Sequence, residues 1–425
     1  MKRRQLSGLL GMAGLATLAL PQQASAKGHE GKGMGHGAGH DMLGAGAFAP
    51  VVKARFQAVL RKAAKSKQRP YAVFDWDNTS IMNDTEEALL MYQINQLAFA
   101  MPPEQFQGAI TRNVPPGNFL PAFKNAAGEQ TSLETVVADL MSDYQFLWAN
   151  YKGMKGSRSL EEMHATEQFQ DFRAKLYFLY EAINDTHGTA VGYPWVVYLF
   201  GGLTVEQVSA LAEASNDHGL GDALRKVKHT SPASLPGKAG VVTVSQNLGL
   251  RLTPEIANIM AALRHHGVDV YVSTASLEDV VRVFASTPKY GYHVKPENVI
   301  GLRLEMEGNV YKPEYRKGWP LNWGPGKTEV IKRELQSKKG YGPLMVFGDS
   351  DGDYDMLRDF PDTEFSLIVN RLKKGPIGTL CKQAVEQAAS AAPRFVLQGR
   401  DERTGHWLPE DQMIKLGTTV KKLLP

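Results

Sequence analysis

Apolar positions along the 425-residue chain repeat with two different periods, and the change between them divides the chain. Val52, Phe56, Val59 and Leu60 fall on one face of an amphipathic helix over about 50–64. Tyr71-Ala72-Val73-Phe74 is a short apolar strand with polar residues directly after it. From 85 to about 245 the pattern is mostly helical, with Ala88–Met91 and Leu97–Phe99 in one helix, Phe172–Ile183 in another and Val205–Ala214 in a third. Pro and Gly punctuate that block at Pro102-Pro103, Pro115-Pro116-Gly117, Tyr193-Pro194 and Gly201-Gly202. From Thr253 helices and strands alternate. Thr253 and Pro254 suit the start of a helix, Ile256, Ile259, Met260 and Leu263 line its face, and Gly267 ends it. Val268–Val272 then reads as a strand, Ser276 as the cap of the next helix, and Leu344–Phe347 as another strand. Such alternation predicts an α/β fold with a parallel sheet covered on both faces, whose ligands bind beyond the carboxyl ends of the strands.

The first residues change the picture of where the protein works. Lys2, Arg3 and Arg4 precede an apolar stretch, Leu9–Leu20, and Ala24-Ser25-Ala26 offers small residues for cleavage. That order predicts a signal peptide over 1–26 and a periplasmic or secreted product. Arg3-Arg4 is compatible with twin-arginine export and with a plain basic leader alike. No cysteine follows the apolar run and no later run is long enough to span a bilayer, so no membrane anchor is expected after cleavage. Residues 27–48, rich in Gly with His29, His36 and His40, read as a flexible linker. The formal charge of +4, less the leader's three basic residues, leaves +1. A near-neutral chain argues against a dedicated nucleic-acid binder. The single Cys381 excludes an intramolecular disulfide and a cysteine-cluster metal site. No protein partner is evident.

Four polar motifs sit at strand ends or helix starts. The first, Asp75-Trp76-Asp77-Asn78-Thr79, places two carboxylates two residues apart. One can attack phosphorus and the other can handle protons, although an Asp/Asn-rich turn has the same composition. The second, Ser273-Thr274-Ala275-Ser276, offers hydroxyls and helix N-terminal amides for a phosphoryl oxygen. In Gly324-Pro325-Gly326-Lys327-Thr328 the lysine can neutralise phosphate charge, but the upstream glycine of a P-loop is missing. The fourth run holds Asp349, Asp351, Asp353 and Asp355, which repel one another unless a hard divalent cation joins them. A calcium EF-hand loop fails, because Tyr354 stands where glycine is needed and Phe360 where a bidentate Glu is needed.

In this order the four motifs resemble the haloacid dehalogenase superfamily of phosphatases, over about 70–84 and 246–360. The resemblance implies a Rossmann-like core, 49–84 and 246–425, with a large α-helical cap, 85–245, inserted between the first and second motifs. It implies Mg²⁺ held by Asp75, the backbone carbonyl of Asp77 and Asp349, with Asp353 as ligand or support. Asp75 would be the nucleophile that forms an aspartyl-phosphate, and Asp77 the acid and then the base. Thr274, with Ser273 as runner-up, and Lys327 would hold phosphate. Dehalogenases of the superfamily lack a second aspartate at position 77, so the reaction implied is hydrolysis of a small phosphoester.

Glu86-Glu87 follows the first motif, and Tyr92, Tyr193 and Trp195 lie nearby in sequence or in the cap. Carboxylates and aromatic faces together bind quaternary ammonium groups. With the export signal, the Glu pair resembles that of the phosphorylcholine phosphatases, which implies Glu86 and Glu87 as the substrate's ammonium site. The alternatives are a broad-specificity or phosphoserine-like phosphatase and, in another class, a periplasmic cation- or ligand-binding module.

Overall fold

The computed structural model describes residues 43–425. The leader over 1–26 and most of the Gly/His segment lie outside the described residues. Helix α1 (Pro50–Ala63) buries the four apolar residues that predict it. Strand β1 (Tyr71–Phe74) and the short β2 (Ile81–Met82) follow. Seven helices come next: α2 (Thr85–Gln96), α3 (Pro103–Thr111), α4 (Leu133–Asn150), α5 (Leu160–His164), α6 (Glu167–His187), α7 (Thr189–Tyr198) and α8 (Val205–Gly221). A hairpin of β3 (Arg225–Thr230) and β4 (Thr243–Leu248) ends the block. After β5 (Arg251–Leu252) come α9 (Pro254–His265), β6 (Asp269–Leu277), α10 (Glu278–Ser286), β7 (Val299–Leu302), β8 (Leu304–Glu307) and β9 (Val310–Tyr315). Helix α11 (Pro325–Ile331) runs through a π-helical turn (Lys332–Gln336) into α12 (Ser337–Lys339). The chain finishes with β10 (Met345–Gly348), α13 (Tyr354–Arg358), β11 (Phe365–Val369), α14 (Pro376–Gln387), β12 (Phe395–Gln398), β13 (Met413–Ile414) and β14 (Lys421–Lys422).

Six strands form one parallel sheet in the order β12-β11-β10-β1-β6-β7. This is the Rossmann-like α/β core. Residues of β1 alternate between the two faces: Ala72 and Phe74 join the cluster with α1 and α9, Tyr71 and Val73 the cluster with α11 and α14. Burial on both faces explains why the strand reads as an unbroken apolar run. Chain order runs outward from β1 through β6 and β7, then restarts at β10 on its other side. Beyond that reversal the helices diverge and leave a crevice at the carboxyl ends. The first and fourth predicted motifs follow β1 and β10, and the second lies in the last residues of β6, three adjacent strands at that point.

The helices between β2 and β5 share one apolar core. That core also takes in Leu304 and Tyr311, from the later hairpin β8–β9. Backbone bonds join that hairpin to the cap, Gly202 N–H to the Tyr311 carbonyl at 2.8 Å and Tyr311 N–H to the Leu203 carbonyl at 2.9 Å. The two chain passages between sheet and cap run side by side, since β2 pairs antiparallel with β5, Ile81 facing Leu252. The linker expected over 27–48 also ends early. Leu43 and Phe48 are buried, and Phe48 packs edge-on against Trp407 at 5.8 Å. No described helix is long and apolar enough to cross a membrane.

Candidate active site

Each motif reaches the crevice through a backbone device. Beyond Phe74, Asp75 N–H donates to the Phe347 carbonyl at 2.9 Å, which extends β1 against β10. The Trp76 carbonyl then accepts from Thr79, Ser80 and Ile81 in a tight turn, with Asn78 in the left-handed region at φ 62°. Successive side chains therefore diverge. Trp76 sits in the core beside Phe284 and Tyr292, while Asp75 and Asp77 face the crevice. Ser80 Oγ donates to the Asp75 carbonyl at 2.6 Å, and the buried Arg400 donates to the Asn78 carbonyl at 2.7 Å. Both hold the loop that carries the aspartates.

Asp75, Asp349 and Asp353 converge, and their nearest carboxylate oxygens all lie within 4.8 Å of one another. Two cations balance them. Lys327 Nζ lies 2.5 Å from Asp75 Oδ1 and 2.7 Å from Asp353 Oδ1. Arg371 Nη1 lies 2.6 Å from Asp349 Oδ2, and Thr79 Oγ1 donates to Asp349 Oδ1 at 2.9 Å. Asp353 Oδ2 accepts from the Asp349 and Ser350 amides at 2.9 and 3.1 Å. That arrangement needs Gly348, where a Cβ would come 2.5 Å from the Cβ of Asp353. Asp351 instead accepts from Ile377 N–H, in the first turn of α14, at 2.8 Å.

Burial pushes the Asp75 carboxyl well up, with Asp353 adding to the rise and Lys327 opposing it. Burial works against ionised Asp349 too, but Arg371 outweighs it and holds that carboxyl below its ordinary range. For Lys327, burial favours the neutral amine, and the carboxylates of Asp353 and Asp75 reverse this, raising its pKa. Three buried oxygen donors at one point suit a hard divalent cation. The Asp77 carboxylate is not among them. It accepts from Thr85 N–H and Ser276 Oγ, both at 2.7 Å, so this residue has only its backbone carbonyl left to offer a metal. Burial raises its pKa, and those hydrogen bonds hold the rise back.

A cavity of about 250 Å³ opens over these groups. Asp75, Asp77, Lys327 and Asp349 line it, together with Glu86, Glu87, Tyr193, Ala275 and Ser276. Thr274 is fully buried behind that wall, where its hydroxyl oxygen accepts from Ser276 N–H at 3.1 Å. Ser273 turns to Asn322, at 3.1 Å. The expectation that Ser276 caps the following helix is corrected: β6 runs on to Leu277, and the Ser276 hydroxyl binds Asp77 instead. Of the predicted aromatics only Tyr193 reaches the wall. Trp195 is buried in the cap core, donating to the Ile110 carbonyl at 2.8 Å, and Tyr92 lies against His218 in a separate cavity. Arg371, Lys373, Asp84, Tyr180 and Trp323 also line this cavity, and sequence reasoning missed them. Arg371 comes two residues after β11, and the apolar run Phe365–Val369 followed by polar residues was the one signal the sequence carried.

Comparison with known proteins agrees with this geometry. Residues 237–358, which hold Thr274, Lys327, Asp349 and Asp353, match the family model of haloacid dehalogenase-like hydrolases. The chain carries a haloacid dehalogenase-like hydrolase domain. Asp75 and Asp77 lie before the matched span, and the sheet brings them into this domain's site. A phosphorylcholine phosphatase of Pseudomonas aeruginosa is 26% identical over 346 residues, 73% of this chain and 77% of that protein. The crystal structure of a conserved, functionally unknown protein from Anaerococcus prevotii superposes with a TM-score of 0.83 at 29% identity. It covers 89% of this chain and 100% of its own.

Proposed function

We propose that the protein is an exported, Mg²⁺-dependent phosphomonoesterase that works through an aspartyl-phosphate on Asp75, with phosphorylcholine or a similar small phosphoester as substrate. The observation that carries the reading is the pairing of Asp75 with Lys327 beside a second carboxylate, Asp77, held apart by its own hydrogen bonds. Export rests on the leader-like order of residues 1–26. The phosphatase activity is also what the relative in Pseudomonas aeruginosa is named for.

Asp75, Asp349 and Asp353 would hold Mg²⁺, which supplies charge stabilisation and a template for the phosphoryl group. The Asp75 carboxylate attacks phosphorus in line as the bond to the alkoxide leaving group breaks. Asp77, whose burial favours the protonated form, gives its proton to that oxygen. It then takes a proton from the water that attacks the acyl phosphate, and phosphate leaves with Asp75 restored. Lys327 faces the transferred group, and the enzyme's main contribution is positioning and charge. Thr274 acts from behind the wall, where its hydroxyl oxygen takes the Ser276 N–H and fixes the backbone that carries the Ser276 hydroxyl.

Glu87 and Tyr193 on the cavity wall give a substrate ammonium group a carboxylate and an aromatic face. A phosphoserine-like substrate is the second reading, because Arg371 and Lys373 on the same wall suit a carboxylate. Turnover of phosphorylcholine, phosphoserine and nitrophenyl phosphate tests both, with Asp75→Asn as control. Phosphorylcholine should have the highest kcat/KM, and Asp75→Asn should abolish turnover with the fold intact. Equal kcat/KM for all three removes the choline assignment, and activity surviving in Asp75→Asn removes the covalent mechanism.

A further inference from the structure

The two adjacent glutamates occupy different environments. Glu86 is 5% exposed, and its Oε2 accepts from Leu277 N–H at 2.9 Å. Its Oε1 is buried with no hydrogen-bond partner among the described residues. Leu277 follows Ser276, whose hydroxyl donates to Asp77 Oδ2. Glu86 itself follows Thr85, whose amide donates to Asp77 Oδ1. The first turn of α2 and the end of β6 thus grip the Asp77 carboxylate from its two sides. The Glu86 carboxylate is the strut that ties those two elements together, one residue beyond each grip. The Asp84 side chain fixes the turn from below, accepting from the Glu86 and Glu87 amides at 2.9 and 3.0 Å.

We infer that Glu86 is a positioning residue for the proton-transfer group Asp77 and not a contact for the substrate's cationic end, which leaves that contact to Glu87. The inference rests on the phosphatase reading above. Its basis is a closed ring of contacts: Asp77 to Thr85, along the chain to Glu86, across to Leu277, back to Ser276 and to Asp77. One carboxylate oxygen is spent on the Leu277 amide inside that ring, and with 5% of the residue exposed it presents little surface to an ammonium group, although it borders the cavity. Loss of the strut frees Ser276 and Thr85 to drift, and a proton donor tolerates little drift, since it acts only within hydrogen-bond reach.

The test uses leaving groups. Nitrophenolate leaves without a proton, whereas the alkoxides of glycerol phosphate and phosphorylcholine need one. Of those two alkyl esters only phosphorylcholine carries a cation. Because Asp77 also serves the hydrolysis step that all three esters share, the readout is kcat/KM, which reports the transfer to Asp75 alone: Glu86→Ala should lower it at least about tenfold on both alkyl esters, and by no more than about threefold on nitrophenyl phosphate. Glu86→Gln, whose amide oxygen can still accept from Leu277, should recover most of the loss. Glu86→Asp, one methylene shorter, should reproduce it and serves as the readout if Glu86→Ala does not fold. An equal loss on all three esters assigns Glu86 a merely structural role and overturns the inference. So does a loss confined to KM for phosphorylcholine, which would mark direct contact with the cation. A wild-type protein that turns over none of the three esters removes the phosphatase reading itself, which is a distinct result.

Discussion

Replacing Lys327 by methionine probes the charge balance of the site without adding bulk. The Lys327 side chain is 2% exposed, and its ammonium lies 2.5 Å from Asp75 and 2.7 Å from Asp353, carboxylates 9% and 1% exposed. Removing one partner of a buried pair costs about 3–5 kcal/mol, because the remaining charge stays desolvated. Here two carboxylates lose the same partner, and that range applies near neutral pH. At about 1.4 kcal/mol per factor of ten, this is roughly a hundred- to several-thousandfold in the folding equilibrium.

The pH dependence has a definite sign. Lys327 has a raised pKa in the fold, so its contribution is complete below the ordinary lysine pKa and is lost only as pH rises through the higher folded value. Asp75 is raised by burial, so its ionised form penalises the fold at high pH, and protonation relieves the penalty as pH falls. Without Lys327 that relief starts at higher pH. Urea unfolding at pH 8 and pH 5 should therefore show a deficit of about 3–5 kcal/mol at pH 8 that shrinks at pH 5. Mg²⁺ should stabilise the variant more than wild type, because it can fill the vacated charge. A deficit under about 1 kcal/mol at pH 8, or one independent of pH, would refute the argument.

Two further outcomes separate scaffold from site. Deleting residues 27–42 should leave stability unchanged, whereas deletion through 48 removes Leu43 and Phe48 from the core and should cost about 3–6 kcal/mol by thermal or urea unfolding. Equal stability of the two deletions would mean that those contacts contribute nothing. Trp195→Phe strands the Ile110 carbonyl and should cost about 1–3 kcal/mol, with KM for phosphorylcholine within about twofold of wild type. A large rise in KM would return Trp195 to the substrate wall.

The order of apolar runs and polar motifs was enough, by itself, to determine the parallel sheet, the inserted helical block and the places of Asp75, Asp77, Lys327, Asp349 and Asp353. Those features are local: a doubly buried strand must be apolar throughout, and the first polar residue after it lies at the sheet's edge. What the sequence left open depends on contacts between distant segments. Arg371 reaches Asp349 only because β11 lies beside β10. Residues 43–48 pack because Gln398 and Glu255 hold their backbone, through amides at Ala49 and Ala47. The clearest case is Glu86-Glu87, two identical neighbours in sequence. Successive helix residues point about 100° apart, so the first turn of α2 ties one carboxylate to the end of β6 and leaves the other more exposed on the cavity wall that both line. Chain order put both glutamates near the site, and only the tertiary packing decided which one is tied to β6 beside Asp77 and which one is the more exposed on the cavity wall that both line.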